Sequence, residues 1–199
     1  CGSSSGSGVA GAVSFAAGTL GSETDGSVVC PSSTIGLVGI KPTIALVSRR
    51  GVVPISHTQD SAGPMTRTVT DAAMLLTAMA GSDPDDPQSA EADAHKTIYE
   101  NGLNADSLKG VRLGVLRGTQ GYTEETHPVF DAALEVMRAR GAELVEIPAE
   151  QLEDLSQEQL TVLFYDFKQD LNAYLAGTPQ TVKTRTLADL MEFNRTDPR

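Results

Sequence analysis

Several residue types are scarce in this chain, and their shortage excludes some classes of protein. Tryptophan is absent and aromatic residues make up only 5%, although an apolar content of 40% is enough for a core. Two cysteines are too few for a disulfide-rich scaffold. His57, His95 and His127 stand apart from one another and from the cysteines, so no metal-ligand spacing is present. No apolar run approaches the roughly twenty residues that span a membrane.

Positive charge is also scarce. The chain has 15 basic and 26 acidic residues, which gives a formal net charge of −11, and the acidic excess lies beyond residue 80. This balance argues against a basic nucleic-acid surface and favours a solvated, acidic exterior. A length of 199 residues suits one domain or a large piece of a bigger one.

The hydrophobic patterning predicts an α/β fold. Residues 8–18 predict a small-residue helix, and 19–30 a turn-rich connection. A strand, a helix and a strand over 111–147 predict parallel pairing. The other predicted elements are short strands at 37–40, 44–47 and 52–55, a helical turn at 31–35, a helix from Thr68 to Gly81, a polar loop at 82–108, and helices near 156–175 and 186–194, with Thr126 and Thr186 as caps.

Serine and glycine crowd into the first 33 residues, CGSSSGSGVAGAVSFAAGTLGSETDGSVVCPSS. Glycine lets other groups approach the backbone closely, and a serine hydroxyl can donate or accept a proton. A flexible linker is one interpretation of GSSSGSG. Residues 2–6 also fit the nucleophile elbow, and residues 6–11 fit the dinucleotide fingerprint. Both motifs require a preceding strand, for which this sequence leaves no room.

The continuation of this stretch resembles the amidase signature family. A glycine-serine loop at residues 2–6 is followed by the turn ETDGS at 23–27, by Pro31 and by the segment GIKPT at 39–43. The order and spacing of these pieces match the family. The form ETDGS-x-x-CP, followed by VSRRGVVPISHTQDSAGPM, is most similar to the bacterial peptide-amidase branch.

The match has three departures. Cys1 stands where the family usually has glycine, and Asp25 stands where glycine or alanine is common. Val29 stands where arginine is common. The resemblance is strong over 1–81 and weak over 111–147. It implies that residues 1–199 are part of a single amidase signature domain, a mixed β-sheet flanked by helices that is incomplete at both ends, with 156–194 helical.

The resemblance assigns a Ser-Ser-Lys triad to the site. Ser27 is the implied nucleophile, and Ser3, after a cis peptide bond from Gly2, is the implied bridging serine. The resemblance places the implied lysine upstream of the glycine-serine loop. Lys41 matches the family's K-P-T lysine instead and is interpreted as structural. The backbone N–H groups of the implied oxyanion hole come from Thr24, Asp25, Gly26 and Ser27.

Further residues are expected to support the site. Ser4 is a candidate for substrate or loop support, and Asp60 and Arg67 are expected either to pair with each other or to brace the site loop. Cys30 is expected to be a small, buried, reduced cysteine, since no histidine lies near it in sequence. No metal and no cofactor is implied.

The function implied by the resemblance is hydrolysis of a carboxamide C–N bond through a serine acyl-enzyme. Two alternatives stay open, a catalytically silent fragment or binding module, and a protein similar to the amidase-like subunit of a glutamine amidotransferase. The expected partner is a small amide or peptide-amide substrate, with no nucleic acid and no membrane. A cytoplasmic location is expected, and the 199-residue chain alone is expected to be nearly inactive.

Overall fold

The computed structural model describes residues 1–117, 124–148 and 153–197. The chain forms a mixed α/β fold divided into two compact units, Cys1–Asn101 with Gln157–Arg199, and Gly102–Ser156. The strands are β1 (Gly18–Glu23), β2 (Val38–Gly39), β3 (Ser61–Thr66), β4 (Arg112–Leu116) and β5 (Glu143–Ile147). The α-helices are α1 (Ser5–Ala12), α2 (Val29–Thr34), α3 (Val69–Met79), α4 (Ala92–His95), α5 (His127–Ala139), α6 (Ser156–Ala176) and α7 (Leu187–Thr196).

The first unit contains an antiparallel sheet in the order β1-β3-β2. The central strand β3 is buried along most of its length, and Met65 is completely buried. Gly63 permits a close approach of two chain segments, because a Cβ at this position would lie 1.9 Å from the Ile40 carbonyl oxygen. The small residues Gly8 and Gly11 also bring α1 close to its neighbours. This sheet and α1 together fix the two serine-rich loops.

Local signals predict two helix caps correctly. The Thr68 hydroxyl accepts a hydrogen bond from the Asp71 N–H and caps α3, whose Ala72 and Leu76 are buried. Thr186 forms a full capping box with Asp189 at the start of α7. Thr126 directly precedes α5, but its side chain makes no capping hydrogen bond, which corrects that predicted cap. In the second unit β4 and β5 pair in parallel, as the strand-helix-strand pattern predicts.

The predicted strands of the first unit are mostly wrong. The first helix ends at Ala12, and β1 forms over residues predicted as turns. The strand β3, with the sequence SAGPMT, was not expected. Neither 44–47 nor 52–55 is a strand, although Val47 forms an isolated bridge with Ala80. Glycine and proline are usually depleted in strands, so β1 and β3 carry almost no local strand signal; their pairing comes from tertiary contacts.

Large apolar side chains are exposed on the first unit. Phe15 is 86% exposed, and Val13 and Leu20 are more than half exposed. Within the described residues, no helix is both long enough and apolar enough to cross a membrane.

Candidate active site

The glycine-serine loop begins with a cis peptide bond between Gly2 and Ser3, at the position that the resemblance implies. The next residue, Ser4, links this loop to two others. Its N–H donates to the Ser27 carbonyl at 3.1 Å. Its hydroxyl donates to the Ser22 carbonyl and accepts from the Ser22 N–H, both at 3.2 Å. Ser4 therefore joins the glycine-serine loop to β1 and to the loop that carries Ser27.

The second loop follows β1 and leads into α2. The side chain of Glu23, at the end of β1, is buried. One of its carboxylate oxygens accepts the N–H groups of Val28 at 2.7 Å and Val29 at 2.8 Å. These bonds satisfy two of the donors that a helix start leaves unpaired. Glu23 fixes the end of the loop, and sequence reasoning did not assign it this role.

Thr24 is held at two points. Its hydroxyl donates a short hydrogen bond to Asp60 Oδ1, and both residues are buried. Its carbonyl oxygen accepts from Lys41 Nζ at 2.8 Å. Because both the side chain and the main chain of Thr24 are bonded, the first residue of the implied oxyanion loop has a defined orientation.

The rest of this loop leaves polar groups available. Gly26 has φ +92°, a conformation that glycine adopts without steric cost, and its carbonyl accepts from the Cys30 N–H at 2.8 Å. Within the described part of the chain, the N–H groups of Asp25, Gly26 and Ser27 donate no hydrogen bond. The hydroxyls of Ser3 and Ser27 also make none there, so the structure brings their loops together without joining the two hydroxyls.

The two cysteines form a disulfide, which corrects the expectation of a reduced Cys30. Cys1 lies just before Ser3, and Cys30 lies just after Ser27, so the contact between the two loops also brings the cysteines together. Their Cα atoms are 6.0 Å apart, within the usual range for a disulfide. The available sequence signal was that the two cysteines flank the two serine clusters.

Asp60 and Arg67 bind different partners. Asp60 Oδ2 accepts the N–H groups of Ile55 at 2.8 Å and Ser56 at 2.9 Å, while Oδ1 takes the Thr24 hydroxyl. The Arg67 guanidinium donates to the Gly11 carbonyl near the end of α1 at 2.6 Å and to the Ala16 carbonyl beyond that helix at 3.1 Å. The pairing of Asp60 with Arg67, one of the two expected arrangements, is therefore wrong. Asp60 contacts the site loop directly, whereas Arg67 anchors the helix that follows the glycine-serine loop.

Helix α6 braces the segment that ends at Asp60. Asp166, which is buried, accepts the hydroxyls of Ser56 at 2.6 Å and Thr58 at 2.7 Å. Asp170 accepts the N–H of His57 at 2.7 Å and approaches its Nδ1 at 3.0 Å. Ligand atoms of His57, Asp166 and Asp170 lie within 4.8 Å of one another, a separation compatible with a metal ion. Because protein donors already occupy the approaching oxygens, we assign this cluster to bracing.

The hydrogen bonds that Asp166 accepts lead to a prediction for stability. The Ser56 and Thr58 hydroxyls, with His57, hold the pKa of Asp166 below its ordinary value. A depressed carboxyl pKa stabilises the folded state above the unfolded pKa, and this contribution is lost as pH falls through the folded pKa. Asp166→Ala leaves two hydroxyls without their acceptor and is expected to cost about 1–3 kcal/mol near neutral pH.

Urea unfolding of the wild type and of Asp166→Ala measures this effect at about pH 7 and at about pH 3. The difference in unfolding free energy should shrink at the lower pH, because the contribution of a depressed carboxyl pKa is complete only above the unfolded pKa and declines as pH falls below it. Asp154→Ala is the matched control, since Asp154 also accepts from a serine, Ser156, but is exposed. Equal losses for the two variants at both pH values contradict the prediction.

A groove of about 670 Å³ borders the site on the side of Ser4. Ser4 and Ser22 form one part of its wall, and Ser48, Arg50 and Asp83 form another. Neither Ser3 nor Ser27 is among its lining residues, so the groove by itself does not define where a substrate's reacting carbonyl binds.

Known proteins resemble the chain in both sequence and structure. It is similar to the native peptide amidase from Stenotrophomonas maltophilia, with a TM-score of 0.89 and 41% identity over 98% of this chain and 40% of that chain. A probable amidase of Arabidopsis thaliana is 40% identical over an alignment of 203 positions that covers 97% of this chain and 38% of that protein. One subunit of the glutamyl-tRNA(Gln) amidotransferase of Thermosynechococcus vestitus is 44% identical over an alignment of 148 positions that covers 73% of this chain and 30% of that protein.

The chain therefore spans well under half the length of these relatives. The sequence profile described as Amidase matches residues 1–199, its whole length. The order of the two serine-rich loops and the agreement in fold lead to one conclusion: the chain belongs to the amidase family.

Proposed function

We propose that the protein to which this chain belongs hydrolyses a carboxamide through an acyl-enzyme on Ser27. The Ser27 hydroxyl oxygen attacks the amide carbonyl carbon, and its proton passes through Ser3 to a neutral lysine amine. The tetrahedral intermediate breaks its C–N bond, and the leaving nitrogen takes that proton and departs as ammonia or an amine. Water then attacks the ester, which returns Ser27 and releases the carboxylic acid.

The observation that carries this proposal is the contact between the two serine-rich loops. The Ser4 N–H donates to the Ser27 carbonyl, and Ser3 follows the cis peptide bond from Gly2. Neither the Ser3 hydroxyl nor the Ser27 hydroxyl has a hydrogen-bond partner within the described chain, so both are available for proton transfer. This arrangement supports the order Ser27, Ser3, lysine that the resemblance implies.

The oxyanion of the tetrahedral intermediate needs hydrogen-bond donors in fixed positions. We assign this role to the backbone N–H groups of Thr24, Asp25, Gly26 and Ser27. Three of them, those of Asp25, Gly26 and Ser27, are unused among the described residues, and Glu23 fixes the chain beyond them. The loop thus supports transition-state stabilisation by main-chain donors.

The proton acceptor is assigned to a lysine of the longer protein rather than to one of the five lysines in this chain. Lys41 is nearest in sequence to the two loops, but its ammonium already donates to the Thr24 carbonyl. Lys96 pairs with Asp93 on the surface. A lysine that accepts a proton must be neutral, which requires a desolvated site.

The substrate class proposed is a peptide or other small molecule with an unsubstituted carboxamide. The likeness to a peptide amidase supports it, because that similarity extends over almost all of this chain. The second candidate is the amidase-like subunit of a glutamine-dependent amidotransferase, which the likeness to an amidotransferase subunit supports. A catalytically silent module is the third, and no described contact favours it.

The cellular location is also a proposal. Disulfides persist in oxidising compartments and are rare in the cytosol. The Cys1–Cys30 bond therefore supports an oxidising location rather than the cytoplasmic one expected from sequence. Trapping free thiols in intact cells, followed by mass spectrometry of the peptide containing Cys30, distinguishes the two.

Covalent labelling of the full-length protein tests the acyl-enzyme directly. A fluorophosphonate reacts with activated serines, so we expect a single adduct on the peptide that contains Ser27. A peptide amide should slow this labelling and release ammonia without any added partner protein, which separates the amidase from the amidotransferase. Heat-denatured protein is the control. An adduct on another serine, or ammonia release only from glutamine with partner proteins, contradicts the proposal.

A further inference from the structure

Two carbonyl groups of the oxyanion loop, residues 24–27, accept hydrogen bonds from groups outside the loop. The Thr24 carbonyl accepts from Lys41 Nζ, and the Gly26 carbonyl accepts from the Cys30 N–H, each at 2.8 Å. In a planar trans peptide, the C=O of one residue and the N–H of the next point in opposite directions. Holding the Thr24 carbonyl therefore aims the Asp25 N–H away from Lys41, and holding the Gly26 carbonyl aims the Ser27 N–H away from the first turn of α2.

The two anchors differ in kind. The bond at Gly26 comes from the backbone of α2 and needs no particular side chain. The bond at Thr24 depends on one ammonium group, which has no carboxylate within ion-pair distance among the described residues. Asp60 accepts the Thr24 hydroxyl and so restrains the Thr24 side chain, but this bond does not hold the Thr24 carbonyl. Lys41 is therefore the group that sets the plane of the Thr24–Asp25 peptide.

We infer that Lys41 is a positioning residue for the reaction, acting through the Thr24 carbonyl on the Asp25 N–H. This inference rests on the proposed function. The ammonium fixes the direction of one oxyanion donor, and its charge polarises the peptide so that this N–H becomes a stronger donor. The full negative charge on the substrate oxygen develops only on the way to the tetrahedral intermediate. Lys41 consequently stabilises the transition state more than the bound substrate.

The test compares Lys41→Met with the wild type in the full-length protein. Methionine keeps an unbranched apolar stem of similar length and removes the charge and the donor. Complete loss of one oxyanion donor costs about 100- to 1,000-fold in kcat, so misdirecting one is expected to lower kcat by about 10- to 100-fold. KM should change by less than about threefold, because substrate binding does not require the oxyanion.

Inhibition by a transition-state analogue distinguishes an effect on the oxyanion donor from a general structural effect on the loop. A peptide boronate forms a tetrahedral adduct on the nucleophile, with one oxygen in the position of the oxyanion. We expect Lys41→Met to weaken boronate inhibition by about the same factor as kcat, while inhibition by the carboxylate product stays unchanged. Lys41→Arg, which restores a charged donor, should recover part of both losses. Lys96→Met is the matched control, because Lys96 forms only an exposed ion pair.

The outcomes separate the inference from the proposed function. Substantial activity in Ser27→Ala refutes the proposed function, whatever Lys41→Met does. Loss of activity in Ser27→Ala with a normal kcat in Lys41→Met overturns the inference alone. Equal weakening of boronate and product inhibition also overturns it, because that pattern shows general damage to the site. If Lys41→Met does not fold, Lys41→Leu, which also lacks the charge and the donor, replaces it in every comparison.

Discussion

Ser27→Ala is expected to lower kcat of the full-length protein on a peptide amide by about four to six orders of magnitude, as loss of the nucleophile does in other serine hydrolases. Alanine removes the oxygen that forms the acyl-enzyme but leaves the backbone N–H at that position. Residual hydrolysis should remain measurable, because the loop's donors still stabilise attack by water. Steady-state ammonia release is the measurement, with thermal denaturation to confirm that the variant folds.

Ser3→Ala should cause a loss of similar order, because Ser27 then has no route for its proton. The double variant should be little worse than either single variant, since the two residues act as one unit. Ser33→Ala is the control. Its hydroxyl donates to the Cys30 carbonyl on α2, and Ser33 is exposed. Additive losses in the double variant, or a deficit in Ser33→Ala, count against the proton relay.

The two serine-rich loops could be located from the sequence because the family pattern keeps particular residues at fixed spacing. Gly2 directly precedes Ser3, and Gly26, whose positive φ suits glycine, directly precedes Ser27. Such spacing leaves a recognisable order in the chain. Helix caps such as Thr68 are equally readable, because the capping residue and the N–H that it binds are close in sequence.

Contacts between distant segments were not readable. Asp166 and Ser56 are 110 residues apart, and nothing local in α6 distinguishes Asp166 from a surface acid. The burial of Glu23 depends on β1, a strand whose glycines and serine give no strand signal. Asp60 and Arg67 were both recognised as support, but opposite charges near each other in sequence suggested a pair that the fold does not make.

The disulfide is another contact that was not predicted from the sequence, and its removal is the second prediction with a large expected effect. Cys1 and Cys30 close a loop with a sequence separation of 29 residues, and loop-closure entropy predicts a stabilisation of about 3–4 kcal/mol. Removing both sulfurs in Cys1→Ser/Cys30→Ser is expected to cost about this much in the free energy of unfolding. Activity should also fall, because the bond ties the segment before Ser3 to the helix after Ser27.

Denaturant unfolding of the full-length protein, with and without dithiothreitol, measures this effect. Reduction should destabilise the wild type as much as the double substitution does, and it should leave the double variant unchanged. The single variants Cys1→Ser and Cys30→Ser should behave like the double variant, because either one removes the bond. A wild type whose unfolding is insensitive to dithiothreitol, with both thiols shown by mass spectrometry to be reduced, would mean that the Ser4–Ser27 hydrogen bond and the packing around it hold the two loops together without the covalent link.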